Sequence, residues 1–520
     1  MPMTSLKSLS IFDELQRKKT LLQGNYAFSL LNFTNLNQLY TTKQDTILPQ
    51  KENICFLGLG ANLDDLKNLT HSAKKIYYLE CENFLEQISF ELPQNFIKLS
   101  KENLLNFLQT PQYFAKTDFI FYKQNLQLFP KFWRPILIHI FSQYNFKTLP
   151  FTKTKTVLLS GSEQDLLHKE ISFALNQLNY QAISLNTLTI EEIIPLIDTL
   201  NPCFFLSINA QNLDINGLIY EYLQKKSIPL ALWFVDNPWN ILSNINQDWW
   251  KNCPIFLTDF SFAEELKKEG AKNIYHLPLA SHDIPTKYSD IPQLPLFFVG
   301  NSAFKNQQAY YSACNIDKQT EQNLYREIKK NLFESNELPN FHTIYKKLFS
   351  NENLWLSKIN RTVSYATIKA DLYLRKLWLE SLHPFLEIMG DNAWDDILTT
   401  KPKRYEPVNY FTTLPNFYKN AAFTINLTSL LMPHNLSQRH FDVWKHQGFL
   451  LSTPSNGMEI FPQNLTTQYT ISCPQHCAKI VEYFLVHTNE KQELKNTMQE
   501  LIYQKHRYIH RLQELFNICL

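Results

Sequence analysis

The chain has 520 residues, 44% hydrophobic and 19% charged, with 50 Lys and Arg against 48 Asp and Glu for a formal net charge of +2. That length predicts about three domains, each able to bury its own core. A balance so near neutral excludes a chain built mainly to grip nucleic-acid phosphates and supplies no polybasic membrane anchor. Aromatic residues at 14%, including 38 Phe and 25 Tyr, exclude general disorder. With only 10 Gly there is no material for a Walker-type phosphate loop. No apolar stretch follows the first basic residues and no run of about 18 uncharged apolar residues occurs, so a cytoplasmic protein without a transmembrane segment is expected. The eight Cys sit mostly in apolar runs, as buried thiols do. Cys473 and Cys477 lack a second ligand pair at zinc spacing and read as a loop, so no metal site is expected.

Residues 1–150 form a first α/β unit. An apolar strand, Asn53 to Leu57, runs into GLGANLDDLKNL, and a second, Lys75 to Leu79, ends at Glu80 and Glu82. Strand, Gly-x-Gly turn, helix and an acid about 20 residues on outline a nucleotide-binding βαβ unit. The third glycine position is Asn62, which leaves open a unit kept for packing or docking.

From TVLLSG onward, short buried runs alternate with helices: LLHKEISFALNQLNY, QAISLN, IEEIIPLIDTL, PCFFLSI, LIYEYLQKKS, PLALWFV, PIFLTD and FAEELKKEG. This alternation predicts a doubly wound parallel sheet over 151–285. HDIPTKYSDIPQLP, with three prolines and no apolar period, reads as an interdomain linker. A third unit, 286–520, opens with LFFVGN. After a helical insertion at 318–382 it resumes with strand FLEIMGD, strand VNYF, helix LPNFYKNA, strand FTINLT, a helix from Gln438 to Gln447, strand FLLST and helix AKIVEYFLVH. A basic amphipathic helix, ELKNTMQELIYQKHRYIHRLQELF, ends the chain.

Ligands of open α/β sheets bind beyond the carboxyl ends of the strands, which selects the candidate residues. Asp236 follows PLALWFV directly and is either a general base or sugar ligand, or a cap of the next turn; Asp259 reads as the cap of a helix starting at Ser261. Gly300 and Asn301 end LFFVGN, with Lys305 a turn later as a mobile charge for phosphate. Gly390 and Asp391 follow FLEIM, and Trp394 either stacks on a base or packs in the core. In LSQRHFDVWKHQG, Ser437 is the expected N-cap and Gly448 the left-handed residue past the helix. Arg439 then lies in the first turn and Asp442 on the same face. The pair either binds pyrophosphate and ribose or forms an internal salt bridge.

The segments LALWFVDNPWN, NIYHLPLAS, LFFVGN, EIMGDNAW, INLTSLLMP, LSQRHFDVWKHQGFLLST and HRYIHRLQELF resemble, in order, the CgeB-like (spore maturation protein) branch of the GT-B glycosyltransferases. The resemblance implies an α/β fold of two Rossmann-like domains facing a cleft, with the acceptor on 151–285, the nucleotide sugar on 286–520, and the last helix crossing back onto the first of these. It implies Arg439 on the diphosphate, Asp442 on the ribose, and a basic residue after the Val-Gly turn, where NSAFKNQ has Lys305 instead of an early Arg. Asn237 replaces the second Asp of the family's Trp-x-x-Asp-Asp-Pro pattern, which leaves Asp236 as the catalytic carboxylate only if the second Asp is not the functional one. No Asp-x-Asp triplet occurs, as in metal-independent GT-B enzymes. GLGAN and YYLECE are similar to a methyltransferase-like Rossmann segment without its third Gly.

The resulting expectation is sugar transfer from a nucleotide-sugar co-substrate, with no other cofactor, to a protein such as flagellin or a surface glycan. The two domains should close on the donor, and no nucleic-acid partner is expected. The rivals are an S-adenosylmethionine-dependent methyltransferase using Gly58, Gly60 and Glu80, and a non-catalytic surface-assembly protein.

Overall fold

A computed structural model describes residues 9–31, 49–70, 73–145, 153–186, 190–245, 247–289, 291–334 and 336–520. The expected boundary near residue 150, Asp290 of the expected linker and the first eight residues lie outside the described residues.

Among the described residues, the first unit is a five-stranded sheet in the order β1-β5-β2-β3-β4. Its strands are β1 (Phe28–Leu30), β2 (Asn53–Leu57), β3 (Lys75–Leu79), β4 (Phe96–Lys98) and β5 (Thr117–Tyr122). Only β1 runs antiparallel, against β5. Every residue of β2 and β5 is buried, and burial on both faces is what turns these strands into continuous apolar runs. Helix α1 (Pro130–Asn145) follows the sheet.

The middle unit alternates β6 (Thr154–Leu159), α2 (His168–Gln177), β7 (Gln181–Ser184), α3 (Ile190–Leu200), β8 (Pro202–Ile208), α4 (Leu218–Lys225), β9 (Leu230–Phe234), α5 (Pro238–Leu242), β10 (Pro254–Leu257), α6 (Ala263–Lys268) and β11 (Asn273–His276). Its six strands are all parallel in the order β11-β10-β9-β8-β6-β7, so the strand order reverses between β6 and β8. Strand β11 was not marked in the sequence, because its four residues are at most partly buried and carry no apolar run. α1 docks the first unit here: Arg134 donates to the Asn216 carbonyl, and Gln247 to that of Leu126.

The third unit comprises β12 (Leu294–Val299), α7 (Lys318–Glu334), α8 (Phe341–Phe349), α9 (Ser357–Ser381), β13 (Leu386–Met389), β14 (Lys403–Tyr405), α10 (Leu414–Asn420), β15 (Ala421–Asn426), α11 (Arg439–Lys445), β16 (Leu450–Ser452), α12 (Pro474–Val486), α13 (Thr488–Lys505) and α14 (Tyr508–Cys519). The sheet is parallel in the order β14-β13-β12-β15-β16 and reverses between β12 and β15. The architecture is α/β: two doubly wound parallel sheets preceded by a smaller α/β unit, as the alternation predicts.

Three local expectations differ. The segment VNYF is a turn, and the strand lies earlier, at Lys403–Tyr405; the Asn409 side chain accepts the N–H groups of Phe411 and Thr412, which removes them from any ladder. The helix past Ser437 is α11, with Gln438 at its N-cap; the Ser437 hydroxyl donates to Asn426 instead, and the left-handed residue is Gln447 (φ 58) rather than Gly448. The terminal helix is broken between α13 and α14. There the His506 carbonyl accepts the Ser281 N–H and the Tyr508 N–H donates back to Ser281, so the chain pairs with the linker for one bridge. The break turns α14 onto the middle unit, where Phe516 packs on Tyr180 and Phe204 and Arg511 donates to the Pro278 carbonyl.

Candidate active site

The carboxyl ends of the two large sheets carry the candidate residues. After β9, Asp236 and Asn237 divide two tasks between them. Asn237 is 1% exposed, caps α5 by accepting the Trp239 N–H at 3.0 Å, and donates across the domain boundary to the Leu431 carbonyl at 3.4 Å. Only an amide can do both, since a carboxylate has no hydrogen to donate. Asp236 is thereby free of capping duty. Its carboxylate is exposed and accepts one bond, from Asn209 Nδ2 at 2.8 Å; protein closing around it raises its pKa, against the lowering effect of that amide. A solvent-reachable carboxylate with a raised pKa is suited to taking a proton from a hydroxyl.

At the β12 and β13 ends, the candidates hold one another. Asp391 accepts the Ser302 N–H at 2.7 Å and the Ser302 hydroxyl at 2.8 Å, while its own N–H donates to Asn301 Oδ1 at 3.1 Å. A Cβ on Gly390 would stand 2.4 Å from the Gly300 carbonyl oxygen, so glycine there lets the two strand-end turns meet. Trp394 donates to that same carbonyl at 2.8 Å and is buried, packing under the turn. Lys305 is exposed, on the loop before the helix at Gln307–Tyr310.

Arg439 lies where the third sheet reverses. Nε donates to Asn426 Oδ1 at 2.8 Å and Nη1 to the Val299 carbonyl at 2.9 Å. Neither partner is charged. Burial, and after it the charge of Arg375, lower its pKa from a value so high that it stays a cation. Among the described residues no carboxylate pairs with this half-buried cation, which stands near the strand ends where such sheets bind ligands.

Arg439 and Asp442 do not pair. Asp442 is 1% exposed and accepts from the Ser281 hydroxyl at 3.4 Å and from the Tyr410 hydroxyl. Burial pushes its carboxyl up to about 6 against the lowering effect of these donors and of Lys445. Glu170 of α2, also buried, is pushed up to about 7 by burial, with the charge of Asp442 adding to it. Asp236 thus stands at a strand end of the middle sheet, and Arg439 and the 300–302 turn at the strand ends of the third, whereas Asp442 is buried against Ser281 and Tyr410.

The loop between β15 and α11 lies over that junction. Besides the Asn237 bond to Leu431, Asp259 accepts the His434 N–H at 2.9 Å while capping Ser261 at 3.0 Å. Beside the loop is a cavity of about 270 Å³ lined by Asn340, Leu374, Trp378, Thr428, His434 and Thr453, among others. Its walls mix apolar and neutral polar groups with one carboxylate, Glu337, and no Lys or Arg, the character of a site for a sugar or nucleoside rather than for phosphate. Sequence reasoning missed Asn209, Arg375 and Glu170. Only for Arg375 was there a signal: the turn after β12 lacks the arginine that the resemblance puts there.

The first unit has a cavity of about 430 Å³ beside Asn62 and Asp65, but its glycine turn is filled. A Cβ on Gly58 would lie 2.3 Å from Asn125 Nδ2, and one on Gly60 2.6 Å from the Phe28 ring. Glu80 is 2% exposed and accepts from Leu59 N–H at 2.7 Å and Cys81 N–H at 2.8 Å. The groups that would contact a dinucleotide or methyl donor are occupied by the chain's own atoms.

Residues 374–517 match the glycosyl transferase-like family model. The C-terminal part of the chain is thus a glycosyl transferase-like domain, and the match contains Asp391, Arg439 and Asp442. No curated protein matches the chain in sequence. Among solved structures it is similar to the DNA modifying enzyme beta-glucosyltransferase, determined with and without uridine diphosphoglucose, at 8% identity and a TM-score of 0.37 over 69% of this chain and 98% of that one. It is also similar to the glycosyltransferase SnogD from Streptomyces nogalater, at 8% identity and a TM-score of 0.31 over 70% and 98%. Among the described residues no group of three or more His, Cys, Asp or Glu side chains is arranged to hold a metal ion, and no helix is long and apolar enough to cross a membrane.

Proposed function

We propose that this protein is a glycosyltransferase of the GT-B type that moves a sugar from a nucleotide-sugar donor to a hydroxyl of a protein or surface-glycan acceptor. The observation that carries this reading is Arg439: a half-buried cation whose hydrogen-bond partners among the described residues are all neutral, inside the glycosyl transferase-like segment and at the strand-order reversal of its sheet. The donor's diphosphate lies against Arg439 and the 300–302 turn. The cavity beside Leu374 and Thr428, which has no cationic side chain in its lining, takes the adjoining sugar or nucleoside.

Asp236, from the other domain, accepts the proton of the acceptor hydroxyl. That oxygen bonds to the anomeric carbon while the carbon's bond to the diphosphate oxygen breaks, and the nucleoside diphosphate leaves with its charge met by Arg439. The sequence resemblance to the CgeB-like branch favours a surface or flagellar protein as acceptor. The methyl-transfer alternative is disfavoured by the glycine turn of the first unit, where Asn125 and Phe28 fill the space over Gly58 and Gly60.

Calorimetry with UDP, GDP, CMP and S-adenosylmethionine tests the assignment. A nucleotide should bind, and Arg439→Ala should weaken it about ten- to a hundredfold, the worth of a charge-assisted contact of roughly 1.5 to 3 kcal/mol. Unchanged affinity in a folded Arg439→Ala protein removes the donor site from this position.

A further inference from the structure

We propose that Arg375, carried by the inserted helix α9, is the second guanidinium of the diphosphate site, so that the donor's phosphates are gripped between Arg375 and Arg439. The proposal rests on the donor-site reading above and deepens it.

The turn after β12 contains a single basic side chain, the exposed Lys305, and no arginine. A guanidinium nevertheless reaches that turn from 74 positions along the chain: Arg375 Nη1 donates to the Asn301 carbonyl at 2.8 Å. Arg439 Nη1 donates to the Val299 carbonyl on the same turn. Carbonyls two residues apart lie within about 7 Å of one another. The two cations therefore converge on one short stretch of backbone, and the charge of Arg375 is among the influences on Arg439. Asp371 offsets the charge of Arg375 in part, and an anion held between the two guanidiniums would relieve the repulsion that remains.

Arg375 is also held in one orientation. Nε meets Asp371 Oδ2 at 3.0 Å one turn back on α9, and the guanidinium carbon lies 5.8 Å from the centre of the Trp394 ring. Asp371 in turn accepts the Leu430 N–H at 2.8 Å, tying the helix to the loop beside the cavity. The side chain is 18% exposed, and among the described residues Nη2 has no hydrogen-bond partner. A planar fork with one edge fixed and one nitrogen free suits a phosphate oxygen.

Calorimetry on the full chain decides the matter, with inorganic pyrophosphate, UDP and UMP, and GDP and GMP, as probes. Arg375→Ala should weaken pyrophosphate and diphosphate binding about ten- to a hundredfold while changing monophosphate binding less than about threefold, and Arg375→Lys should recover only part of the loss. Melting curves establish that each variant is folded, and if Arg375→Ala does not fold, Arg375→Gln and Arg375→Lys carry the same comparison. Full diphosphate affinity in a folded Arg375→Ala or Arg375→Gln protein, with Arg439→Ala still impaired, overturns the role of Arg375 and leaves the donor site standing. Equal weakening of mono- and diphosphates assigns Arg375 to structure alone and also overturns it. Absence of binding by the unaltered protein to every probe overturns the donor site itself.

Discussion

Asp259, at the carboxyl end of a middle-domain strand, accepts the backbone N–H of His434 on the C-terminal domain at 2.9 Å, and the same carboxylate caps Ser261. It is 1% exposed, so the bond lies within the junction rather than on its rim. Close by, α9 and the residues just before it add further ties to the middle domain: Asn360 and Ser364 donate to Asn240 Oδ1 at 2.9 and 2.7 Å, and Trp355 to the Ile245 carbonyl at 2.8 Å. Sequence reading led to the expectation of a hinge that closes on the donor, whereas these bonds already join the two domains without one. Small-angle scattering with and without saturating nucleotide is expected to superimpose, and Asp259→Ala is expected to lower stability by about 1 to 3 kcal/mol through its stranded donors. A nucleotide-dependent contraction of the unaltered protein would show that the ties break and reform.

Asp236 carries a cost that its proposed role explains. The protein around this solvent-reachable carboxylate strips part of its hydration and raises its pKa above the ordinary 3.8. A raised carboxyl pKa means the folded state holds the proton more tightly, so the associated stability is complete below about 3.8 and is lost as pH rises through the raised value. Asp236→Asn should therefore melt no lower than the unaltered protein at neutral pH, while turnover falls by about a hundredfold or more with donor affinity nearly unchanged. In the unaltered enzyme, turnover should rise with pH through the Asp236 pKa. Full turnover in Asp236→Asn would move the base elsewhere in the cleft.

Glu170 should dominate another part of the pH profile. Its carboxyl is pushed up to about 7 from 4.5, by burial first and by Asp442 after it. Its contribution is complete below about pH 4.5 and vanishes as pH rises through about 7, a loss on the order of 3 kcal/mol at roughly 1.4 kcal/mol per pKa unit. Buried His282, His440 and His446, held neutral at pKa values of about 2, 3 and 3, act in the opposite sense at lower pH. Comparing unaltered protein with Glu170→Gln at each pH removes their share. The gap in melting temperature should open in favour of the variant between about pH 5 and 7.5, and a constant gap would mean that Glu170 titrates normally.

The first unit should be silent toward nucleotides and methyl donors. Gly58 has φ +97 and its missing Cβ is the space held by Asn125. Gly58→Ala is expected to cost more than about 2 kcal/mol through strain and overlap while leaving donor affinity of the folded fraction intact. S-adenosylmethionine binding that is lost on Glu80→Ala would reverse this assignment.

What the amino-acid sequence determines by itself is everything that depends on near neighbours. PCFFLSI and LALWF are continuous apolar runs because a strand of a parallel sheet is buried on both faces, and the strands are Pro202–Ile208 and Leu230–Phe234. Alternation with amphipathic helices then dictates two doubly wound sheets, and ligand sites follow at their carboxyl ends. The tertiary structure decides matters between residues far apart in the chain. Asp236 and Asn237 are adjacent and chemically alike, and only the Leu431 carbonyl, 194 positions away, makes one a cap and leaves the other free. The terminal helix breaks where its N–H and carbonyl groups find Ser281. Arg375 looks like any cation on a long amphipathic helix until α9 carries it to the Asn301 carbonyl. Local periodicity encodes which face of an element is buried, but it has no term for the partner that the face will meet.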